Sequence, residues 1–282
     1  MKIGVVGMGL IGGSLAKAIK EKTEHEVYGF DIAKEVMARA ILLEAMDGAL
    51  DDAMLQQCEM LIIALYPEAA LDYLRTHASL INKNAIVVDT CGVKGYVCDE
   101  AWSLADEYGF RFIGGHPMAG LAKIGFGHAT SEMFFGASMI ICPRKDIDIE
   151  TMKTFKDVFD AIGFGHYEIA TPEKHDRIIA YTSQLAHVLS NAYIKSETAK
   201  DHYGYSAGSF RDMTRVAYLN ENMWTELFFE NKDFLANEID GLAERLLQYS
   251  KALKENDEEG MKSLLREGRL AKMDVDERSK RN

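Results

Sequence analysis

The sequence predicts an α/β, doubly wound domain followed by an all-α C-terminal domain. Short, continuously apolar runs alternate with helical patterns through the first half of the 282-residue chain, as expected for parallel strands buried on both faces. The character changes at Thr171-Pro172-Glu173, a strong helix start after which no proline occurs. Because the length suits two domains, we expect one at residues 1–170 and a helical one at residues 171–282.

The elements of the first domain follow from the apolar runs and from the amphipathic segments between them. The first strand is expected at Ile3–Val6 and the first helix at Leu10–Ile19, and a later strand stops at Pro67. The other expected strands are Glu26–Phe30, Met60–Leu65, Ala85–Val88, Phe110–Ile113 and Ser138–Ile141, and the other expected helices are Ala33–Leu43 and Tyr96–Tyr108.

The second domain is expected to hold helices at residues 172–199, 209–219 and 221–254, and a charged final helix at 257–276. Its high content of Leu, Phe, Tyr and Met suggests a buried dimer interface.

The composition is that of a globular protein with an acidic surface. Hydrophobic residues make up 48% and charged residues 27% of the chain, and the formal net charge is −12. Such a surface repels nucleic acid and anionic membranes, so we expect neither as a partner. An anionic substrate would therefore need a local basic cluster.

The cysteines and the N-terminal segment indicate a cytoplasmic protein. No apolar stretch reaches the roughly 18 residues of a membrane span, and glycine spacing argues against a signal peptide despite the Ala16-Lys17-Ala18 sequence. The cysteines show no metal-site spacing, so we expect a reducing compartment and no bound metal. They are Cys58, Cys91, Cys98 and Cys142.

A dinucleotide fingerprint, GMGLIG at residues 7–12, lies between the first predicted strand and helix, which is the context that the motif requires. Gly7 allows a tight turn, Gly9 lets the backbone approach a pyrophosphate, and Gly12 lets the helix pack closely. The helix N-terminus supplies N–H donors and positive potential. The first domain is therefore predicted to be of the Rossmann type, with candidate cofactor-binding residues Gly7, Gly9, Leu10, Ile11 and Gly12.

Asp31 ends the second predicted strand, 19 residues after Gly12. A carboxylate there accepts hydrogen bonds from ribose hydroxyls and repels a 2′-phosphate, which favours NAD over NADP. Lys34 follows closely, so some use of NADP stays open. A nicotinamide cofactor implies hydride transfer.

His116 lies in the glycine-rich segment FIGGHPMAG at residues 112–120, which follows a predicted strand. Glycines on both sides are expected to expose the imidazole, and the following proline favours an extended backbone. Such a histidine is a near-neutral acid–base group. A hydrogen-bonded core histidine is the alternative, which this context disfavours.

Six motifs, in this order, resemble those of prephenate dehydrogenases over about residues 1–235. The resemblance implies NAD-dependent oxidation and decarboxylation of prephenate to 4-hydroxyphenylpyruvate, on the route to tyrosine, by a homodimer. The motifs are GMGLIGGS at 7–14, DTCGVKG at 89–95, GGHPMAG at 114–120, HD at 175–176, S-x-L-x-H at 183–187 and FRDMTRVA at 210–217.

The resemblance also implies roles for individual residues. His116 would be the catalytic histidine, which takes the proton of the C4 hydroxyl as hydride leaves C4. Loss of the ring carboxylate as carbon dioxide then makes the ring aromatic. Arg215 would clamp a substrate carboxylate, with Arg211 one helical turn away, since guanidinium groups suit a dicarboxylate. A solvated helix face, or a pair with Asp212, is the alternative for the two arginines.

Further substrate contacts are implied for the helical domain. His187 and Ser183 share a helix face, and Trp224 would pack beside the substrate ring unless it is a core or interface aromatic. His175 and Asp176 are explained as well by helix capping as by a place in the site.

The chain departs from the family pattern at three positions. Gly92, expected beside the nicotinamide, stands where members often carry a serine that touches both the nicotinamide and the catalytic histidine. Ala122 stands where they often carry Glu, and Gln184 where they often carry His.

Three other functions stay open at this stage. They are arogenate dehydrogenase, another β-hydroxyacid dehydrogenase or imine reductase, and an NAD-binding sensor or scaffold without catalysis. The sequence leaves undecided the choice between prephenate and arogenate, and feedback inhibition by tyrosine.

Overall fold

The computed structural model describes residues 1–121 and 123–280. The chain divides into two compact units, one of Met1–Lys232 and one that begins at Asp233. The first unit contains the sheet and ten helices of the described residues, and the second contains most of one further helix and all of another. Within the first unit, the predicted division near residue 170 separates the part that contains both strands and helices from the part that contains helices alone, and it stays a prediction as a domain boundary.

An eight-stranded sheet forms the centre of the first unit, in the order β3-β2-β1-β4-β5-β6-β7-β8. All neighbouring strands are parallel except β6 and β7, which are antiparallel. The strands are β1 Lys2–Val6, β2 Glu26–Phe30, β3 Gly48–Ala49, β4 Met60–Ile63, β5 Ile86–Asp89, β6 Arg111–Pro117, β7 Ser138–Pro143 and β8 His166–Ile169.

Helices cover both faces of this sheet, so that a separate apolar core lies on each side. Leu15 of α1 and Phe155 of α6 lie in one core, and Leu71 of α4 and Val97 of α5 lie in the other. The helices of this half of the chain are α1 Leu10–Lys22, α2 Lys34–Leu42, α3 Asp52–Leu55, α4 Pro67–His77, α5 Gly95–Tyr108 and α6 Ile149–Ala161. This confirms the predicted doubly wound α/β class.

The remaining described residues form helices, as predicted, but the helices differ in length from those expected. They are α7 Pro172–Ile179, a π-helical turn at Ala180–Leu185, α8 Ala186–Tyr193, α9 Gly208–Thr214, α10 Glu221–Phe229, α11 Lys232–Lys254 and α12 Glu258–Ser279. No helix of the described residues is both long and apolar enough to cross a membrane.

Three predicted helix lengths were wrong. The helix expected at 172–199 ends at Tyr193, and the one expected at 209–219 ends at Thr214. The helix expected at 221–254 is interrupted at Glu230 and Asn231. The buried Asn231 amide donates to Asp176 O (2.9 Å) and Gln184 Oε1 (2.8 Å), so a tertiary contact overrides the continuous helical pattern here.

Candidate active site

The glycine-rich loop joins β1 to α1 in a conformation that only glycines permit. Gly7 has a φ of +87°, and a Cβ there would collide with the carbonyl oxygen of Ala64. A Cβ at Gly12 would collide with the carbonyl oxygen of Gly7. A Cβ at Gly9 would meet nothing within 4 Å, so this backbone faces open space where a pyrophosphate can approach.

Asp31 fixes the end of β2 against this loop. Its carboxylate accepts hydrogen bonds from the backbone N–H groups of Met8 and Ala33, both at 2.9 Å. Each carboxylate oxygen keeps a lone pair that can accept a ribose hydroxyl. Leu10 and Ile11 begin α1, whose first N–H groups have no partner within the helix. These residues fit the dinucleotide that the sequence predicts.

A buried ion pair joins the carboxyl ends of β5 and β6. The side chains of Lys94 and Asp89 are fully buried and in contact. The Lys94 ammonium also donates to Gly115 O (2.6 Å), and the Gly115 N–H donates to Asp89 Oδ1 (3.1 Å). Although burial favours the neutral amine, Asp89 raises the pKa of Lys94 above its ordinary value, so Lys94 stays a cation. The pair fixes the backbone directly before His116.

His116 is half-buried, and it lies within β6 rather than after a strand. The two glycines before it were predicted to expose the imidazole, but they permit close packing instead. A Cβ at Gly114 would lie 2.5 Å from Cys98 Sγ, and one at Gly115 would lie 2.5 Å from Asp89 O. Burial, followed by the nearby His175 and Lys94, lowers the pKa of His116 well below its ordinary value. The imidazole is therefore neutral at pH 7 and can accept a proton.

His175 and Asp176, at the start of the helical region, contact the back of His116. His116 Nδ1 lies 2.8 Å from His175 Nε2, and His175 Nδ1 lies 2.7 Å from Asp176 Oδ1. Asp176 also accepts the backbone N–H groups of Lys94 (2.8 Å) and Gly95 (2.7 Å). Asp176 therefore caps α5, a helix other than its own, and it reaches the candidate active site as well.

Gly92 lies on the other side of the His116 ring. A Cβ at Gly92 would lie 3.9 Å from His116 Nε2 and 3.4 Å from Leu227 Cδ2. Gln184 holds this part of α10 in place, because its amide donates to Leu227 O (3.0 Å). The position where family members often carry a serine therefore does adjoin the candidate base, as expected.

A second group of predicted residues surrounds His187. The His187 Nδ1 lies 2.8 Å from the carbonyl oxygen of Ser183, and its ring centroid lies 4.1 Å from that of Trp224. Burial lowers the pKa of His187, the Ser183 carbonyl opposes this shift, and the Arg215 guanidinium adds to it. The Arg215 guanidinium therefore lies within electrostatic range of the His187 imidazole, whereas Ser183 contributes its backbone carbonyl to this group.

Arg211 lies in α9 and Arg215 lies at the C-terminal end of this helix, and both side chains are exposed. Neither Arg211 nor Arg215 forms an ion pair with any residue of 1–121 or 123–280, and the alternative pair with Asp212 does not form. Asn191 of α8 donates to Ala217 O (3.1 Å) and so ties the arginine segment to the helix of His187. Two free cations are thus available for an anionic ligand.

Some residues of the site could not be recognised from the sequence. Lys94 and Asp89 lie in the DTCGVKG motif at 89–95, but nothing in the sequence shows that the two side chains are buried and paired. Leu227 and Asn231 gave no sequence signal, since leucine and asparagine are common in helical segments that have no part in a site. Ala122 lies outside the described residues.

An open sheet with a glycine-rich loop at its carboxyl edge, and a neutral histidine along the same edge, defines the class of nicotinamide-dependent dehydrogenases. Residues 15–167 match the family model for the nucleotide-binding domain of prephenate dehydrogenase, and residues 171–267 match the model for its dimerization domain. The chain belongs to the prephenate dehydrogenase family.

Individual relatives agree with this assignment. The chain is 29% identical over 245 residues to the prephenate dehydrogenase of Bacillus subtilis, an alignment that covers 84% of this chain and 66% of that protein. The prephenate dehydrogenase of A. aeolicus, solved with hydroxyphenyl propionate and NAD+, is 27% identical with a TM-score of 0.82 over 98% of both chains. The Synechocystis arogenate dehydrogenase is 26% identical with a TM-score of 0.81, over 98% of this chain and 100% of that one.

Proposed function

We propose that this protein catalyses the NAD-dependent oxidative decarboxylation of prephenate to 4-hydroxyphenylpyruvate. The observation that carries the proposal is the neutral His116, whose Nδ1 contacts His175 while its Nε2 faces Gly92. This histidine lies near the carboxyl end of β6, beside β5, along the edge where the glycine-rich loop leaves β1. A base next to a nicotinamide site is what oxidation of a ring alcohol requires.

Each residue of the site has a part in this reaction. NAD, when bound, accepts the hydride from C4 of the substrate. His116 takes the proton of the C4 hydroxyl at Nε2, so the O–H bond breaks as the new N–H bond forms. As the ring carboxylate leaves as carbon dioxide, the electron pair of its bond to the ring moves to the C4 oxygen and the ring becomes aromatic. The phenolate that results takes the proton back from His116, which gives the phenol of the product. Arg215, with Arg211 near it, holds a substrate carboxylate, while His187 and Trp224 contact the side chain and the ring.

Turnover by the purified protein tests this proposal. Prephenate and arogenate are each offered with NAD and with NADP, and formation of the reduced cofactor is followed by absorbance. We expect NAD reduction with prephenate, and a His116→Asn variant that binds NAD but turns over about 10²–10⁴-fold more slowly.

Other outcomes have defined meanings. A higher kcat/KM for arogenate would make the protein an arogenate dehydrogenase, as its Synechocystis neighbour is named. Absence of turnover with either substrate would refute the proposal, and near-normal turnover by His116→Asn would refute the role of His116.

We also propose that the protein works as a homodimer in the cytoplasm. The match of residues 171–267 to a dimerization domain supports the dimer, and the four free, buried cysteines fit a reducing compartment.

A further inference from the structure

The His-Asp pair at the start of α7 has a geometry that capping alone does not explain. Asp176 is 4% exposed and His175 is 2% exposed. Their side chains continue from the α5 N-terminus to the ring of His116 through hydrogen bonds of 2.7 to 2.8 Å. A cap for α5 requires the carboxylate only, so the histidine between Asp176 and His116 needs a separate reason.

The protons along this chain of contacts can be assigned from its far end. The carboxylate of Asp176 accepts two backbone N–H bonds and has no proton to give, so His175 must donate from Nδ1. In a neutral imidazole the other nitrogen is then an acceptor. His175 Nε2 therefore accepts from His116, whose proton must lie on Nδ1.

This assignment leaves the lone pair of His116 on Nε2, the nitrogen that faces Gly92. Nothing at position 92 can hold the ring from that side, because glycine has no hydroxyl. Within residues 1–121 and 123–280, the contact with His175 is the one side-chain hydrogen bond of the His116 ring. The orientation of the His116 ring therefore depends on the contact between its Nδ1 and His175.

We propose that His175 and Asp176 are positioning residues that fix the proton of His116 on Nδ1 and so present Nε2 to the substrate as a base. This inference rests on the proposed dehydrogenase function. When His116 takes the substrate proton at Nε2, its Nδ1–H still donates to His175, and the carboxylate of Asp176 stabilises the new positive charge through that ring. A carboxylate that orients a catalytic imidazole from behind has the same effect in hydrolytic triads.

The charged and titratable groups around this pair belong to several elements, and they include the Glu230 carboxyl between α10 and α11, which interacts with Asp176. Lys94 and Asp89 lie at the end of β5 and just after it, His116 lies on β6, and Asp176 lies on α7 itself. Burial lowers the pKa of His175, contact with Asp176 opposes that shift, and Lys94 adds to it. A neutral His175 at pH 7 is what the tautomer assignment requires.

Two isosteric substitutions at position 175 separate positioning from capping. The amide of Gln lies where His175 Nε2 lies, towards His116, whereas the amide of Asn lies where Nδ1 lies, towards Asp176. We expect His175→Gln to keep kcat within about tenfold of the unsubstituted protein, since one neutral hydrogen bond is exchanged for another. We expect His175→Asn to lose about 10²–10⁴-fold in kcat, with little change in KM for prephenate.

Equal kcat values for the two variants, or a less active Gln variant, would overturn the proposal, provided that both melt like the unsubstituted protein. If either variant does not fold, the tautomer is read directly from the unsubstituted protein with ¹⁵N-labelled histidine by NMR. We expect His116 to be protonated on Nδ1 and bare on Nε2 at neutral pH. A proton on Nε2 would reject the inference, whereas lack of prephenate turnover by the unsubstituted protein would count against the proposed function alone.

Discussion

At the scale of single residues, the candidate site separates into a proton-accepting part and an anion-binding part. His116 belongs to the first, through burial and its contact with His175. His187 and Arg215 belong to the second, since the guanidinium acts on the imidazole and has no ion pair among the described residues. Changes to the first part are therefore expected to alter the chemical step, and changes to the second part are expected to alter substrate binding.

The pH profile of kcat/KM reports the free His116. Because burial, His175 and Lys94 lower its pKa, the ring is protonated and inactive only below its ordinary value of 6.5. We expect kcat/KM for prephenate to stay constant between neutral pH and pH 6.5 and to decrease below pH 6.5. A decrease in kcat/KM centred above pH 6.5 would mean that another group is the base.

Arg215→Ala should act on substrate binding rather than on chemistry. A lost hydrogen bond to a charged group costs about 1.5–3 kcal/mol, which corresponds to a roughly tenfold to hundredfold rise in KM for prephenate. Arg211→Ala is the comparison and should raise KM less, because Arg215 and not Arg211 acts on the pKa of His187. Steady-state kinetics of both variants measure the difference, and equal effects would place the clamp elsewhere.

At the scale of elements, the strands around the cofactor site could be predicted because their apolar runs are continuous. The runs Ile3–Val6 and Ala85–Val88 match β1 and β5 to within a residue or so. The helices α4 and α6 were missed. Pro67 marks the end of a predicted strand, but proline also favours the first turn of a helix, as it does in α4. Asp148 caps the start of α6, and an aspartate is a weak helix signal on its own.

The candidate site was predictable in part. Glycine spacing and motif order identified the loop, His116 and Arg215, since these are local patterns. The Asp89–Lys94 pair and the contact of Leu227 with Gly92 are set by how β5, β6 and α10 meet, and no local pattern encodes such long-range packing. The antiparallel β7 was also hidden, because an apolar run does not reveal strand direction.

Substitutions at two glycines of the first loop should separate effects on stability from effects on cofactor binding. Gly9→Ala meets no neighbour and should leave the melting temperature unchanged, but its methyl group enters the space proposed for the cofactor. We expect the Kd for NAD to rise roughly five- to hundredfold, as 1–3 kcal/mol of overpacking implies. Gly12→Ala collides with the Gly7 carbonyl and should lower the melting temperature as well. Calorimetric binding and thermal melts distinguish the two, and an unchanged Kd for Gly9→Ala would move the pyrophosphate away from this loop.

At the scale of the whole molecule, an acidic protein of net charge −12 is proposed to bind a dianionic substrate. Its exposed arginines must therefore overcome the repulsion between the acidic surface and the substrate.

Three exposed aromatic side chains have 92 to 96% of their surface in solvent, namely Tyr203, Tyr205 and Tyr218. Large exposed aromatics are common at protein interfaces.

The proposed dimer predicts a mass in solution. Light scattering coupled to size exclusion should give twice the 31.5 kDa of one chain, at salt concentrations that screen surface charge. Tyr203→Ser, at an exposed aromatic, should shift the distribution towards monomer if that residue lies in the interface, and Lys145→Ser serves as its surface control. A monomer mass for the unsubstituted protein at assay concentration would reject the dimer.

The π-helical turn at Ala180–Leu185 sets the angular phase of the helix that it interrupts. His175 and His187 are twelve positions apart, which in a regular α-helix puts them about 120° apart around the axis. A π-turn accommodates one extra residue, so the angle falls to about 20°, and both imidazoles project from nearly the same side. Deleting a single residue from this turn, such as Thr182, would leave eleven positions between the two histidines in a regular α-helix, so their angle would stay near 20°. The π-turn therefore lets a spacing of twelve positions place both histidines on one side of the helix, as a spacing of eleven would in a regular α-helix.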